Sequence, residues 1–336
     1  MRSLHLLVSN ALVVHDFAPV LLRDLKLHSL DQLAAHFSEE PSPRLDPDLA
    51  TWQAWLLRSR SRANIAEVFA QAYGRPVGSG RLPWLLEPVH FQVATDHLEL
   101  EDPGLLNLDK EEAEILAEAA RPILEQAGWM LDATIPQHWL GLRPHPLDLS
   151  GPSIERAIGG NVGFLLPKDQ GSGAAKHWGR VANEIQMVWH ALELNQIRER
   201  QGRPTINGLW LSGNGEGGSD FRHLHEYAHI VSGLPLLRQF ASHPSKREID
   251  PAMSLRTWDG LITPARQRDW SNWRNSVQAL DLYVADVIED LRKGRIEELL
   301  LVLCGEHHVR VGRVRRNDLW KIWRRGRAAE LFSDVA

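Results

Sequence analysis

The sequence contains a single cysteine, Cys304, in 336 residues. One cysteine excludes a disulfide within the chain and any cysteine-rich metal site, and it is typical of a reducing compartment. No stretch approaches the ~18 consecutive apolar residues that are needed to span a bilayer. His5, Asn10 and Asp16 interrupt the first apolar run, which favours a core strand over a signal peptide. These absences predict a soluble, cytoplasmic protein that does not bind membranes.

The sequence also lacks an excess of positive charge. Its formal net charge is −5, and its isoelectric point is near 6.3. This balance disfavours a general polyanion binder, so nucleic acid is not the expected partner. Hydrophobic residues make up 43% of the chain, which is enough for a sizeable core. Thirteen tryptophans outnumber eight phenylalanines and three tyrosines, and such rings can serve a core, a ligand groove or a partner surface.

The most informative stretch runs from residue 178 to residue 220. Apolar residues recur every three or four positions from Trp178, which predicts a helix as far as about residue 200, ended by Gly202 and Pro204. A short apolar run over 206–211 predicts a buried strand. The glycine-rich run over 213–218 then predicts a loop, followed by a helix over 219–232.

A strand, a glycine loop and a helix N-terminus in this order can form an anion site. Glycines allow backbone N–H groups to approach an anion, and the helix dipole favours negative charge. The chain has no Walker lysine and no dinucleotide-binding GxGxxG pattern, so a tight exposed turn remains the alternative. The candidate ligand contacts on the polar helix face and the loop are Asn183, Gln186, His190, Gly213, Asn214 and Gly215.

Other segments predict a mixture of strands and helices. Strands are expected over 4–14, 89–95, 98–100, 129–134, 139–142 and 299–303, the last of them buried and parallel. Helices are expected over 29–37, 49–57, 65–73, 110–127 and 276–292. Residues 241–275 read as irregular, and the arginine-rich tail over 310–327 reads as a C-terminal helix with an outward charged face.

Two histidines in the string HLHEYAH are metal-ligand candidates. On the predicted helix, His225 and His229 would share one face, a spacing that can chelate a divalent ion. With Glu226 they also match the HExxH pattern of zinc metalloproteases. A helix of exposed or packed histidines is the alternative interpretation. After the strand over 299–303, Glu306 and His307 form a second candidate pair.

The central stretch resembles a bacterial family of RpfE-type regulatory proteins, whose members are also labelled cofactor-independent phosphoglycerate mutases. Segments 87–100 and 317–325 resemble the same family. The matching central residues include Asn183, Glu184, Gln186, Met187, His190, Asn195, Arg198, Glu199, Gly202, Asn207 and Gly213. Through this resemblance Asn195, Arg198 and Asn207 join the candidate ligand contacts.

A more distant resemblance is to archaeal-type phosphoglycerate mutases of the alkaline-phosphatase superfamily. It implies an α/β fold: an alkaline-phosphatase-like core with a mostly parallel sheet, built from 1–83 plus 205–336, and a smaller inserted α+β domain over 84–204. It also implies divalent metals such as Mn, Mg or Zn, bound by Asp and His residues.

The chain does not supply the metal ligands that the resemblance implies. Ser9-Asn10 comes after the apolar residues 4–8, where an Asp-Gly is expected, and Asp16 is the nearest carboxylate. No histidine occurs between 255 and 290. We therefore predict a phosphoglycerate mutase-like protein with a degenerate metal site, which regulates or binds a phosphorylated small molecule or a protein partner. The alternatives are an active metal-dependent mutase or phosphohydrolase, with His225, His229, Glu306 and His307 among its metal ligands, and an HExxH metalloprotease.

Overall fold

A computed structural model describes residues 2–59, 64–75, 77, 81–213, 224, 226–242, 250–321 and 323–334. The chain forms two compact units. Unit 1 combines Met1–Arg60 with Asp220–Ala336, and unit 2 is Ser61–Ser219. No helix in the described ranges has both the length and the apolar character required to cross a bilayer.

The described strands are numbered in chain order as β1 (Ser3–Val8), β2 (Val13–Val14), β3 (Ser38–Glu40), β4 (Leu82–Val89), β5 (Phe91–Val93), β6 (Leu98–Leu100), β7 (Met130–Asp132), β8 (Trp139–Arg143), β9 (Gly208–Ser212), β10 (Tyr227–Val231), β11 (Asp250–Trp258), β12 (Glu298–Cys304), β13 (Val309–Arg315) and β14 (Ser333–Asp334). The helices are α1 (Ala18–Leu22), α2 (His28–His36), α3 (Thr51–Leu56), α4 (Ile65–Ala72), α5 (Lys110–Gln126), α6 (Ile154–Ala157), α7 (Val162–Leu165), α8 (Ala174–His190), α9 (Glu193–Arg200), α10 (Pro235–Ser242), α11 (Ile262–Arg266), α12 (Trp270–Arg292) and α13 (Ala328–Phe332).

Unit 1 is built on a six-stranded sheet in the order β10-β11-β1-β12-β13-β3. The first four of these strands are parallel to one another. Strand β13 is antiparallel to β12, and β3 is antiparallel to β13. One buried cluster contains alternate residues of β1 and β12 together with residues of α1, α2, α12 and α13. The expected mixed α/β class with a mostly parallel central sheet is therefore confirmed, as is the buried parallel strand over 299–303.

Unit 2 contains an antiparallel sheet in the order β7-β8-β4-β9 and a separate β5-β6 hairpin. Helices α5 and α8 contribute to the cluster that fills its core, with Trp84, Trp139 and Trp189 almost fully buried. The predicted inserted domain began at residue 84 and ended at 204. Because β9 pairs along β4, the strand over 208–212 lies in unit 2 with the central segment.

Two predicted helices are wrong, and a third is interrupted by a break. Residues 227–231 form β10, since a Tyr-Ala-His-Ile-Val run is rich in strand-forming residues and pairs parallel with β11. In the tail, residues 309–315 form β13, because valine alternates there with arginine at the period of a strand. The helix predicted over 178–200 is two helices: Asn195 Nδ2 donates to the Trp189 carbonyl at the end of α8 and helps to fix the break.

The region over 241–275 was expected to be irregular, and this expectation is also wrong. It contains β11, which lies between β10 and β1 in the sheet. Its residues Met253, Ser254, Arg256 and Thr257 are of mixed polarity, so the segment shows no clear apolar alternation. Its strand conformation is stabilised by pairing with β10 on one side and β1 on the other. The local sequence pattern does not predict these pairings.

Candidate functional site

The carboxyl edge of the parallel strands in unit 1 is the first candidate site. In open α/β sheets, ligands bind in the crevice beyond the carboxyl ends of the strands. Val8 of β1 lies in register with Trp258 of β11 and with Leu303 of β12. The next residues along the chain are Ser9, Asp259 and Cys304, the last of which ends β12, and they therefore lie at neighbouring positions along one edge.

The end of β1 supplies no charged ligand. Ser9 is fully buried, and its Oγ has no hydrogen-bond partner among the described atoms. Asn10 adopts a left-handed conformation with φ of 53°, and its carbonyl accepts a hydrogen bond from Trp273 Nε1 at 3.2 Å. A serine and a strained asparagine thus occupy the position at which a metal-dependent mutase is expected to have an aspartate.

The end of β11 does supply a carboxylate, Asp259. Its Oδ2 accepts hydrogen bonds from the Gly233 amide at 2.7 Å and from Thr257 Oγ1 at 2.9 Å. A Cβ on Gly233 would lie 2.5 Å from this oxygen, so the close approach requires glycine. Oδ2 therefore ties the loop after β10 to the end of β11.

The predicted metal residues do not form a cluster in the described part of the chain. Glu306 and His307 are exposed in the turn between β12 and β13, with Oε1 and Nε2 3.5 Å apart. His229 lies on β10 and is exposed, and His225 is outside the described residues. Within the described ranges, no group of three or more His, Cys, Asp or Glu side chains could hold a metal ion.

The strand conformation of His229 argues against the metalloprotease interpretation. The HExxH pattern requires both histidines on one face of a helix, so that their imidazoles point at the same ion. His229 is in a strand that pairs with β11 from Tyr227 to Val231. Residues 227–229 of the pattern are therefore not helical, and His225 lies outside the described residues.

Three of the predicted ligand contacts lie on an exposed face of α8: Asn183, Gln186 and His190. This face belongs to unit 2, opposite the stripe of Trp178, Val181, Ile185 and Trp189 that packs into the core. The side chains are solvent-accessible and polar. Their role as ligand contacts remains a prediction.

The next three predicted contacts make hydrogen bonds that hold unit 2 together. Asn195 is 4% exposed and donates to the carbonyls of Trp189 and Ile206, both at 2.9 Å, while it accepts from the Ile206 amide at 2.7 Å. Arg198 is fully buried against backbone carbonyls and the Glu112 carboxylate. Asn207 brackets the backbone of Phe91, accepting at 2.7 Å and donating at 3.1 Å.

Gly213 closes β9 with a φ of 94°, a conformation that L side chains rarely adopt. A Cβ there would lie 3.0 Å from the Cβ of Ala66 and 3.1 Å from its amide nitrogen. Glycine is therefore required where the predicted loop begins. Asn214 and Gly215, the other loop residues assigned to the ligand, lie outside the described residues.

A groove of about 660 Å³ in unit 2 is lined by α5, β7 and residues near Arg75. It contains three cations, but each has an acidic neighbour. Arg75 lies 3.7 Å from Asp132, Lys110 3.6 Å from Glu114, and Arg121 3.1 Å from Glu118. Because the cations are already paired, the groove offers little attraction to a phosphate.

A carboxylate–imidazole pair in unit 2 was not apparent from the sequence. His138 Nδ1 lies 2.7 Å from Oε1 of Glu87, whose side chain is 1% exposed, and Ser212 Oγ approaches the other oxygen at 3.5 Å. The three residues are far apart in sequence and meet because β9 and β8 flank β4. The only local signal is the Glu-Pro pair inside an apolar strand, 82–89.

Replacing Glu87 by glutamine is expected to stabilise the protein increasingly as pH rises above 4.5. Burial raises the pKa of Glu87 above its ordinary value of 4.5, although the hydrogen bond with His138 opposes this effect. The folded state thus holds this proton more tightly than the unfolded chain, and ionisation of Glu87 weakens the fold as pH rises. Glutamine keeps an acceptor for His138 without the charge.

Urea unfolding of both proteins across pH 4 to 8 measures this effect. The variant's advantage in free energy of unfolding should grow steadily as the pH is raised over this range. Glu184→Gln, an exposed change in the middle of α8, serves as the control and should give a nearly constant difference. A constant difference for Glu87→Gln as well would show that burial does not perturb this carboxyl.

Comparison with known proteins adds little to this geometry. Neither the protein-family models nor the curated proteins contain a match. Among solved structures, the chain resembles the PH0037 protein from Pyrococcus horikoshii at 12% identity and a TM-score of 0.49, covering 98% of this chain and 92% of that one. It also resembles a cofactor-independent phosphoglycerate mutase from Thermoplasma acidophilum DSM 1728 at 14% identity and a TM-score of 0.41, covering 100% and 96%. Likenesses this low support no conclusion about function or site residues.

Proposed function

We propose that this chain is a phosphoglycerate mutase-like protein with a degenerate metal site, which binds a phosphorylated small molecule or a protein partner in a regulatory role. The observation that carries the proposal is the end of β1, where Ser9 and Asn10 replace the carboxylate that a two-metal site needs. The RpfE-type resemblance and the alkaline-phosphatase-like arrangement of the core belong to the same proposal.

The chemistry of the strand ends supports this interpretation. A two-metal site that transfers a phosphoryl group needs several anionic or imidazole ligands to clamp the attacking and leaving oxygens. At this edge, Asp259 uses Oδ2 to bind Gly233 and Thr257, and Glu306 and His307 lie in an exposed turn. The described residues therefore do not fit a two-metal centre, and we derive no catalytic step through one.

The proposed phospho-ligand contacts are the exposed face of α8 and the glycine segment that begins at Gly213. Gln186 and His190 offer an amide and an imidazole, both of which can donate hydrogen bonds to phosphate oxygens. Gly213, with a φ of 94°, begins the glycine-rich segment at the end of β9. These groups suit recognition of an anion without a metal.

An active metal-dependent mutase or phosphohydrolase is the second candidate. It is favoured by one observation: carboxylate or imidazole groups still follow two parallel strands, with Asp259 after β11 and Glu306-His307 after β12. A metal at this edge would polarise phosphate oxygens and activate the attacking group. The two candidates differ in whether metal binding accompanies ligand binding.

Calorimetric titration with MnCl₂ and with 3-phosphoglycerate separates them. The degenerate-site proposal predicts no stoichiometric Mn²⁺ binding, no interconversion of 3- and 2-phosphoglycerate, and measurable binding of 3-phosphoglycerate without metal. The double variant Gln186→Ala/His190→Ala tests the two proposed contacts. It should weaken 3-phosphoglycerate binding about tenfold, as expected for two lost hydrogen bonds.

The control is Gln196→Ala, an exposed change on α9 that should leave 3-phosphoglycerate binding unchanged. Binding of two Mn²⁺ ions with mutase turnover would overturn the proposal in favour of the active enzyme. Loss of Mn²⁺ binding in Asp259→Asn would then locate the metal at the strand ends. Absence of both metal and 3-phosphoglycerate binding would exclude this phosphorylated metabolite as the ligand.

A further inference from the structure

Two tryptophans near the C-terminus are exposed to solvent. Trp320 is 76% exposed and Trp323 is 74% exposed, whereas Trp139, Trp189 and Trp273 are completely buried. Full exposure of an indole ring gives up the apolar burial that normally stabilises the fold. Two such rings three residues apart therefore indicate a surface that is covered by something other than this chain.

The segment that bears these rings is fixed to unit 1 at its far end. Gly326 lies so close to α2 that an added Cβ would be 2.3 Å from the Ala35 amide nitrogen. Two residues on, the Ala328 amide donates to Asp31 Oδ1 at 2.7 Å. The chain is thus held against α2, and the exposure of Trp323 results from an anchored path.

Four arginines accompany the rings. Arg316, Arg324, Arg325 and Arg327 are exposed, and none of them takes part in an ion pair found among the described residues. Their neighbours in sequence are paired with acids: Arg310 with Glu39, Arg313 with Glu40 and Glu298, Arg315 with Glu298, and Lys321 with Asp318. Among the described residues, the exposed set therefore presents guanidinium groups that form no ion pair, although Arg324 lies close enough to Asp318 to interact with it electrostatically.

We name this set the Trp–Arg patch: Trp320, Trp323, Arg316, Arg324, Arg325 and Arg327. From it we infer a binding surface for single-stranded nucleic acid. Flat indole rings stack on any base, and guanidinium groups form forked hydrogen bonds with phosphate. Both chemistries occur within one short segment, 316–327, so a strand bound there could place its bases on the rings and its phosphates on the guanidinium groups.

The composition of the patch favours a nucleic acid over an acidic protein segment. A protein interface usually surrounds its Trp and Arg anchors with apolar contacts. Among the described residues from 310 to 334, no large aliphatic side chain is exposed, and Leu319 packs against the core of unit 1. The whole chain has a net charge of −5, so electrostatic attraction of a nucleic acid is confined to this patch. The attraction should therefore act over a short distance and weaken as the salt concentration rises.

Fluorescence anisotropy of a labelled 12-residue oligothymidylate with the full chain tests the inference. Four phosphate contacts predict a slope of log K against log salt of about −3 for the wild type. Arg324→Gln/Arg325→Gln should halve that slope. Trp320→Ala/Trp323→Ala should weaken binding by on the order of tenfold per ring and leave the slope nearly unchanged.

Lys176→Gln/Arg180→Gln is the matched control, since it removes two exposed cations from unit 2 and should change neither quantity. The tryptophan and arginine variants alter exposed side chains, and unchanged melting curves would confirm that they are folded. Failure of the oligonucleotide to bind, or equal binding by all variants, would overturn the inference. Tighter binding of labelled poly-L-glutamate than of the oligonucleotide would also overturn it, by assigning the patch to an acidic protein. The test does not involve 3-phosphoglycerate and is independent of the proposed function.

Discussion

Replacing Arg198 by alanine is expected to lower the free energy of unfolding by about 3–5 kcal/mol, because it leaves a buried carboxylate without its main partner. Arg198 is fully buried on α9 and uses all three of its nitrogens. Nε donates to the Pro204 carbonyl at 2.7 Å, Nη1 to Glu112 at 2.7 Å and Nη2 to the Leu106 carbonyl at 2.6 Å. Alanine would also leave a cavity and two carbonyls without these donors.

Urea unfolding followed by circular dichroism measures this effect. Arg203→Ala is the matched control: Arg203 contacts the same Glu112 at 3.0 Å, but its side chain is 35% exposed. Arg203→Ala should lower the free energy of unfolding by less than about 1 kcal/mol, as expected for a partly solvated ion pair. If both variants unfold alike, Arg198 does not anchor α9, and its role as a ligand contact regains support.

Replacing Trp273 by alanine should destabilise unit 1 by about 3–5 kcal/mol through the cavity that it creates. Trp273 is completely buried on α12, and its ring packs edge-on against Trp270 and Phe332 at centroid distances of 6.3 and 5.7 Å. Its Nε1 also donates to the Asn10 carbonyl at 3.2 Å. Replacing Trp273 should therefore disturb the carboxyl end of β1 as well as the core of unit 1.

Trp273→Phe separates these two contributions, since phenylalanine retains much of the apolar volume without the donor. It should cost less than alanine, with the hydrogen bond accounting for about 1 kcal/mol of its effect. Trp320→Ala removes an indole that is 76% exposed and should change stability by no more than about 0.5 kcal/mol. Equal losses for Trp273→Ala and Trp320→Ala would contradict the burial that separates the two rings.

Elements with strong local signals were predicted well. Helix α5 begins after Asp109, whose side chain accepts from the Glu112 amide, and it ends just before Gly128 with a φ of 81°. Strand β12 is an uninterrupted apolar run that is buried along its length. Capping, glycine conformation and continuous hydrophobicity act within a few residues, so the sequence displays them directly.

Elements stabilised by distant neighbours were predicted poorly. Strand β11 has a mixed pattern and exists because β10 and β1 pair on its two sides. Asn195 and Arg198 became candidate ligand contacts through the family resemblance, and no local pattern predicted their burial. They are buried because Glu112, Leu106 and Ile206 bring donors and acceptors to them from other parts of unit 2. Hydrogen bonds between residues far apart in sequence therefore account for the burial of Asn195 and Arg198.

The sequence alone determined the chemistry that is available: one cysteine, no aspartate after the first strand, and no histidine between 255 and 290. It also determined the helices and strands whose ends and apolar faces are set locally. Only the tertiary structure decided which polar residues are buried and which tryptophans are exposed. Burial depends on contacts between segments far apart in sequence, so identical residue types at Trp273 and Trp320 have opposite environments.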